Sequence, residues 1–216
     1  MSAGTIVALG DACVSMRFGG VIDPEINARC IAVAASLEAS NLPGIRDIVP
    51  SYDAVTVHFN PVVTDRALVT HELVRLAEAV RAVPDVHPRT IEIPVQYGGA
   101  SGPDLAAVAA FGQCSEADVI RLHTQTTYRV YMLGFLPGFA YMGTVDPRIA
   151  MPRLDTPRMR VDSGSVAIAS SQTGIYPCDT PGGWRIVGRT AVRLFKADAA
   201  DPFLLRAGDR VRFVAL

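Results

Sequence analysis

Gly134-Phe-Leu-Pro-Gly-Phe-Ala-Tyr-Met-Gly143 sits inside an uncharged stretch, Val130 to Val145, whose reading decides what kind of domain surrounds it. The stretch is shorter than the roughly 20 apolar residues a membrane-spanning helix needs. Gly134, Pro137, Gly138 and Gly143 also interrupt it, so it reads as a barrel strand and turn inside a soluble domain. Outward from it the same pattern recurs. Tyr128 to Leu133, Ser165 to Ser170, Thr190 to Phe195 and Asp209 to Val214 are short apolar runs separated by glycine and proline turns, which predicts a closed β-barrel. Two short helices precede it, Pro103 to about Phe111 and one capped by Ser115 with Asp118 in a capping-box position, ending near His123.

Upstream the pattern changes. Residues 5–9 and 13–19 read as strands. A helix follows, capped by Asp23, with Ile26, Cys30, Val33 and Leu37 at helical spacing until Asn41-Leu-Pro-Gly44 ends it. Residues 45–49 and 53–59 are again strand-like, and a second helix runs from about Asp65 to Ala82 with Leu68, Leu73, Leu76 and Val80 inward. These elements make a small α+β unit. The stiff, polar Pro84 to Pro88 segment marks a domain boundary near residue 87. Ile91 to Tyr97 is a strand of either domain, since it could close a ferredoxin-like unit by pairing with the first sheet. The fold class is therefore α+β, with domains 1–87 and 88–216.

Composition excludes several functions. Of 216 residues, 50% are hydrophobic and 19% charged, enough apolar surface for two cores. A net charge of -1 offers no broad field for nucleic acid or an anionic membrane, so neither is expected as a partner. The N-terminus shows no basic region followed by an apolar one, and Cys13, Cys30, Cys114 and Cys178 have neither metal-site nor disulfide-framework spacing. We therefore expect a cytoplasmic protein without a bound metal. Phosphate-loop, dinucleotide-binding, zinc-protease and serine-hydrolase motifs are all missing from the sequence, as is a biotin attachment lysine, Lys196 being the only lysine.

Five of the fifteen aromatics fall between Tyr128 and Tyr141. Phe135 and Phe139 flank Pro137-Gly138, with Tyr141 close behind, so this run could wall a small pocket, although any one of these rings taken alone is more simply barrel core. Arg148, Arg153, Arg158 and Arg160 lie within thirteen residues. Such forks suit carboxylate or phosphate. Arg153 and Arg158, each following a proline, are the preferred pair, while about half the cluster is expected to be solvated or salt-bridged only. Ser163-Gly-Ser165 and Thr180-Pro-Gly-Gly-Trp184 could form anion nests. His123, the one histidine beyond the linker, could serve as acid or base or simply bond at a helix end.

In order, Tyr97-Gly-Gly-x-x-Gly-Pro-Asp-Leu105, Gly134-Phe-x-Pro-Gly-Phe-Ala-Tyr141, Pro152-Arg, Pro157-Arg, Gly164-Ser-Val166, Gln172-Thr-Gly-Ile-Tyr-Pro177, Pro181-Gly-Gly-Trp184 and Gly188-Arg-Thr190 resemble the family of 5-oxoprolinase B subunits and kinase-inhibitor I proteins, also labelled allophanate hydrolase subunit 1. The likeness spans nearly the whole chain and is strongest from residue 91 onward. It implies an N-terminal ferredoxin-like α/β sandwich followed by a cyclophilin-like β-barrel. It also implies ATP, with magnesium, used to open 5-oxo-L-proline to L-glutamate together with two partners, a carboxyltransferase-like C subunit plus an A subunit. By this resemblance Arg153 and Arg158 take anions, His123 and Asp104 handle protons or orientation, and Phe135, Pro137, Gly138, Phe139 and Tyr141 line the pocket. Ser165, Gln172, Tyr176, Gly182, Gly183 and Trp184 extend that pocket. Ala100 stands where the family pattern has a glutamate, and Leu154 where a second basic residue is common. The rival readings are a module restraining a histidine kinase and a component of a urea or allophanate pathway.

Overall fold

A computed structural model describes residues 4–80 and 89–216, which form two compact units. The boundary near residue 87, the Pro84 to Pro88 segment and the expected helix end at Ala82 lie outside the described residues.

The first unit runs β1 (Thr5–Ala8), β2 (Cys13–Arg17), α1 (Pro24–Ala39), β3 (Ile45–Pro50), β4 (Ala54–Phe59) and α2 (Arg66–Ala79). Its strands form one antiparallel sheet in the order β1-β2-β4-β3. Asp23 starts α1 by accepting from the backbone N–H groups of Glu25 and Ile26 at 2.8 and 2.9 Å. Cys30, Val33 and Leu37 of α1 and Val69, Leu73 and Leu76 of α2 share one core with Val14, Met16, Val55, Val57 and Phe59 of the sheet. Burial pushes the Cys30 thiol up to about 12, with the nearby Asp53 carboxylate adding to the effect. The expectation that Leu68 faces inward is wrong: it is 47% exposed, and Val69 takes the buried place. Asp65 accepts from Leu68 N–H and so fixes where α2 begins, and from that start the sheet-facing rows fall on 69, 73 and 76.

The second unit begins with β5 (Thr90–Tyr97), which does not close the first sheet. It enters a closed seven-stranded barrel, after α3 (Leu105–Phe111) and α4 (Glu116–Thr124) completed by β6 (Thr127–Leu133), β7 (Ala140–Gly143), β9 (Ser165–Ala169), β10 (Gln172–Ile175), β12 (Arg185–Arg189) and β13 (Arg210–Ala215). The order around it is β10-β7-β6-β13-β5-β12-β9, with β13 parallel to β5 and every other pair antiparallel. Separately, β8 (Arg158–Val161) pairs with β11 (Thr180–Gly182). Ile93, Val95, Tyr128, Val130, Met142, Val166, Ile168 and Phe213 fill the interior, and α3 and α4 add Leu105, Val108, Val119 and Leu122 to the same core.

One strand expectation changes. Thr190 to Phe195 is not a ladder strand; the paired segment is β12, five residues earlier. Thr190 ends it by accepting from Val192 N–H through its hydroxyl, a local bond that turns the chain out of register. β12 itself is interrupted by Gly188, where a Cβ would lie 2.6 Å from Val95 Cγ1 and 2.9 Å from Gln96 O. Such a close approach admits only glycine. No helix among the described residues is long and apolar enough to cross a membrane.

Candidate functional site

The run Gly134 to Gly143 is the turn of the β6–β7 hairpin together with β7. Three backbone bonds fold its tip on itself: Leu136 N–H donates to Gly134 O at 2.8 Å, Phe139 N–H to Leu136 O at 3.0 Å, and Gly134 N–H to Phe139 O at 3.2 Å. Gly138 has φ +85°, and a Cβ there would meet Phe195 Cβ at 2.8 Å, so two separate constraints demand glycine. Phe135 also has positive φ, +66°, although it is an aromatic residue 61% exposed to solvent. Left-handed backbone costs an L-residue about 1–2 kcal/mol, and burial of the ring does not offset it here.

Behind this tip Phe139 is the hub of an aromatic cluster. Its ring meets Phe135, Tyr141, Tyr176 and Trp184 edge-on at centroid distances of 5.6, 4.9, 5.4 and 5.4 Å. Pairs of this kind contribute about 0.5–1.5 kcal/mol each beyond their buried area. Gly182 lets the β11 backbone lie on the Tyr176 ring, where a Cβ would fall 2.5 Å from its hydroxyl oxygen. Gly183 O accepts from Leu154 N–H at 2.7 Å, tying the Pro152 to Pro157 segment to the same place.

The four arginines separate into two kinds. Arg148 pairs with Asp146 at 2.9 Å, and Arg160 bridges Asp162 and Asp179 on exposed surface. Hydrogen bonds from Arg148 hold the Asp146 carboxyl down to about 2. Arg153 and Arg158 instead lie within electrostatic reach of the aromatic cluster: burial raises the Tyr176 hydroxyl, while a hydrogen bond with the Trp184 backbone, then Arg153 and Arg158, oppose it. Burial likewise raises Tyr141, opposed by Arg153. Arg185, which the motifs alone do not single out, braces this segment, donating to Pro152 O at 2.9 Å and Arg153 O at 3.4 Å. Its position directly after Trp184 was the one available signal.

Arg158 Nη2 donates to buried Asp104 Oδ1 at 2.7 Å, and Asp104 Oδ2 accepts from Ile186 N–H at 2.7 Å. The sequence dictates this placement. Gly102 lies so tightly on β12 that a Cβ would be 2.1 Å from Val187 O, and Asp104 N–H donates to Ile186 O at 2.9 Å. Both Asp104 oxygens are thus engaged, which fits orientation, one of the two roles expected of it, and not proton handling. Arg158 Nη1 is buried without any hydrogen-bond partner. An unmade bond on a buried charged donor costs upward of about 1–3 kcal/mol.

His123 is not on this face. It is fully buried in the barrel interior, stacked 4.5 Å from Phe213, and burial pushes its imidazole down to about 3. The network settles its tautomer. Thr173 donates its hydroxyl proton to Ala167 O at 3.0 Å, so its oxygen accepts from His123 Nε2–H at 2.9 Å. Nδ1 is therefore the acceptor for the Tyr97 hydroxyl at 2.6 Å. A neutral imidazole with both nitrogens engaged inside a core is structural, which corrects its assignment to proton handling. Ser165 is also buried, its carbonyl accepting from Tyr176 N–H, and Gln172 pairs with Gly143 and Ala169 in the ladder. The Ser163 to Ser165 turn is no anion nest, because its three N–H groups already donate to Asp179, Tyr176 O and Asp162 O. Among the described residues no group of three or more histidine, cysteine or acidic side chains could hold a metal.

This two-unit chain is matched by the family model described as the carboxyltransferase domain, subdomain C and D. That family model matches residues 4–205, and the chain belongs to this family. Within it, the chain is 40% identical over 225 residues to the 5-oxoprolinase B subunit of Bacillus subtilis (strain 168), covering 98% of this chain and 92% of that protein. The crystal structure of TTHA0988 is 38% identical with a TM-score of 0.83, over 95% of this chain and 40% of that one, so this chain spans about two fifths of that longer relative. Kluyveromyces lactis urea amidolyase, 18% identical with a TM-score of 0.83 over 99% of this chain and 15% of that one, shares the fold alone.

Proposed function

We propose that the chain is the B subunit of an ATP-dependent 5-oxoprolinase, converting 5-oxo-L-proline to L-glutamate in the cytoplasm, in complex with a carboxyltransferase-like C subunit plus an A subunit. The observation that carries this reading is the 40% identity to a 5-oxoprolinase B subunit over 98% of the chain. A lactam carbonyl resists water, and phosphorylating its oxygen with ATP, accompanied by magnesium, makes it a competent electrophile. The need is for anion clamps and orientation more than for a strong nucleophile. Arg153 and Arg158 suit the first, and Phe135 and Tyr141, backed by the buried rings of Phe139, Tyr176 and Trp184, suit the second. Since Asp104, Asp162 and Asp179 are tied up in ion pairs and no acidic cluster lies among the described residues, magnesium would arrive with the nucleotide or be held by the C subunit. The same reading takes the first unit as a ferredoxin-like sandwich with β1 at the edge beside β2, and the barrel as cyclophilin-like.

Co-expression with the neighbouring subunit genes, followed by assay of 5-oxoproline-dependent ADP release, tests it. Release above the control lacking 5-oxoproline is expected; none from a properly assembled complex rejects the reading.

A further inference from the structure

Two local rules are broken at one ion pair. Asp104 occupies the N-cap position of α3, where an aspartate ordinarily accepts from its own helix, yet it makes no side-chain capping bond. Its carboxylate engages Arg158 Nη2 and Ile186 N–H instead. Arg158, held in this way, keeps Nη1 buried and unpartnered. Buried donors without acceptors are rare, and each calls for a group that completes it. A cap forgone to aim an arginine whose free end meets nothing is the local inconsistency expected of a binding site.

Three features choose the missing acceptor. A guanidinium edge matches the two coplanar oxygens of a carboxylate. Asp104 neutralises the charge of Arg158, so the pair favours a directional, singly charged partner over a polyphosphate. Tyr141, partly exposed over the buried Tyr176 and Trp184, offers an aromatic surface to a compact cyclic body, and Tyr176 lies within the electrostatic reach of both Arg153 and Arg158. Resting on the functional reading above, we infer that the partly exposed guanidinium of Arg158, with Arg153, receives the carboxylate of the cyclic lactam acid, that Asp104 is the positioning residue, and that the nucleotide phosphates are bound by other groups of the assembled enzyme.

The test is steady-state kinetics of the assembled complex, varying 5-oxoproline and ATP separately, for Arg158→Lys and Asp104→Asn. Arg158→Lys should raise the KM for 5-oxoproline about tenfold or more, the loss expected when a bidentate fork becomes a point charge, and leave the KM for ATP within about twofold. Asp104→Asn, which keeps an oxygen for Ile186 N–H, should raise the same KM by a smaller factor, again without moving that for ATP. A purely structural role would shift both constants or neither. Parallel rises in both, or an unchanged KM for 5-oxoproline in variants that assemble and turn over, overturns the inference. If the wild-type complex shows no turnover, the functional reading falls separately. Calorimetry with 5-oxoproline on the full chain then decides the receptor: binding lost in Arg158→Lys supports it, and absent or equal binding overturns it.

Discussion

The barrel unit contains two polar clusters that the sequence presents in much the same way, and they have opposite character. Around His123 every hydrogen is committed: Tyr97 donates to Nδ1, Nε2 donates to Thr173, and Thr173 donates to Ala167 O. Around Arg158 the network stays open, with Asp104 satisfied and Nη1 orphaned. A closed neutral network in a core specifies packing. An open charged one beside an exposed aromatic loop waits for a ligand. Burial alone does not separate them, since Asp104 is nearly as buried as His123; what separates them is whether the last donor has an acceptor.

The sharpest way to break this contrast is at His123. His123→Ala should cost about 4 kcal/mol of barrel stability, the sum of a cavity beside Phe213 and two hydroxyls left without their partner. Chemical denaturation should show a lower midpoint, while any complex that still assembles keeps its KM values. A stable variant with lost turnover would return His123 to the catalytic machinery. Arg158→Ala should do the reverse. The kcat/KM for 5-oxoproline should fall about a hundredfold, mainly through KM, with a loss of stability smaller than that of His123→Ala because Asp104 retains Ile186 N–H and the ion pair is partly exposed. An unchanged kcat/KM would remove Arg158 from the site.

How far these roles can be read from sequence depends on the range of the interaction that sets them. Caps and local periodicity are short-range, so α1 behind Asp23 and the Ser115–Asp118 capping box were legible. The barrel's existence was legible as well. Its ladder was less so: β10 and β12 carry Gly174 and Gly188, whose reasons are the Phe139 and Trp184 rings and the Val95 side chain, contacts made across long sequence separations. The clustering of Phe135, Phe139 and Tyr141 was legible because they are contiguous. His123 was misread because its partners, Tyr97 and Thr173, lie 26 and 50 residues away, and nothing local distinguishes an exposed helix-end histidine from a core one.

A smaller effect sharpens the closed cluster by pH. The imidazole of His123 is held at about 3 when folded against an ordinary 6.5, because burial disfavours its charged form. Between those values the unfolded chain binds a proton that the folded chain does not. Its contribution is therefore complete above pH 6.5 and is lost as pH falls, with a slope approaching about 1.4 kcal/mol per unit. Denaturation midpoints at about pH 6.5, 5.5 and 4.8, above most carboxylate titration, should fall more steeply for wild type than for His123→Gln. Parallel curves would show that the imidazole is protonated inside the barrel.

The smallest expected change lies at the hairpin tip. Phe135 sits at φ +66° with its ring mostly in solvent, so the fold gains little from the ring while the backbone stays strained. Asparagine tolerates left-handed backbone far better than phenylalanine. Phe135→Asn trades relief of that strain against loss of one edge-on contact with Phe139, and stability should stay within about 0.5 kcal/mol of wild type. If Phe135 walls the site, the same variant lowers turnover several-fold without altering the denaturation midpoint. A clear loss of stability with unchanged turnover would instead make the ring a structural plug over the aromatic cluster, and the strained turn would belong with the closed network of His123 and not with the open face of Arg158.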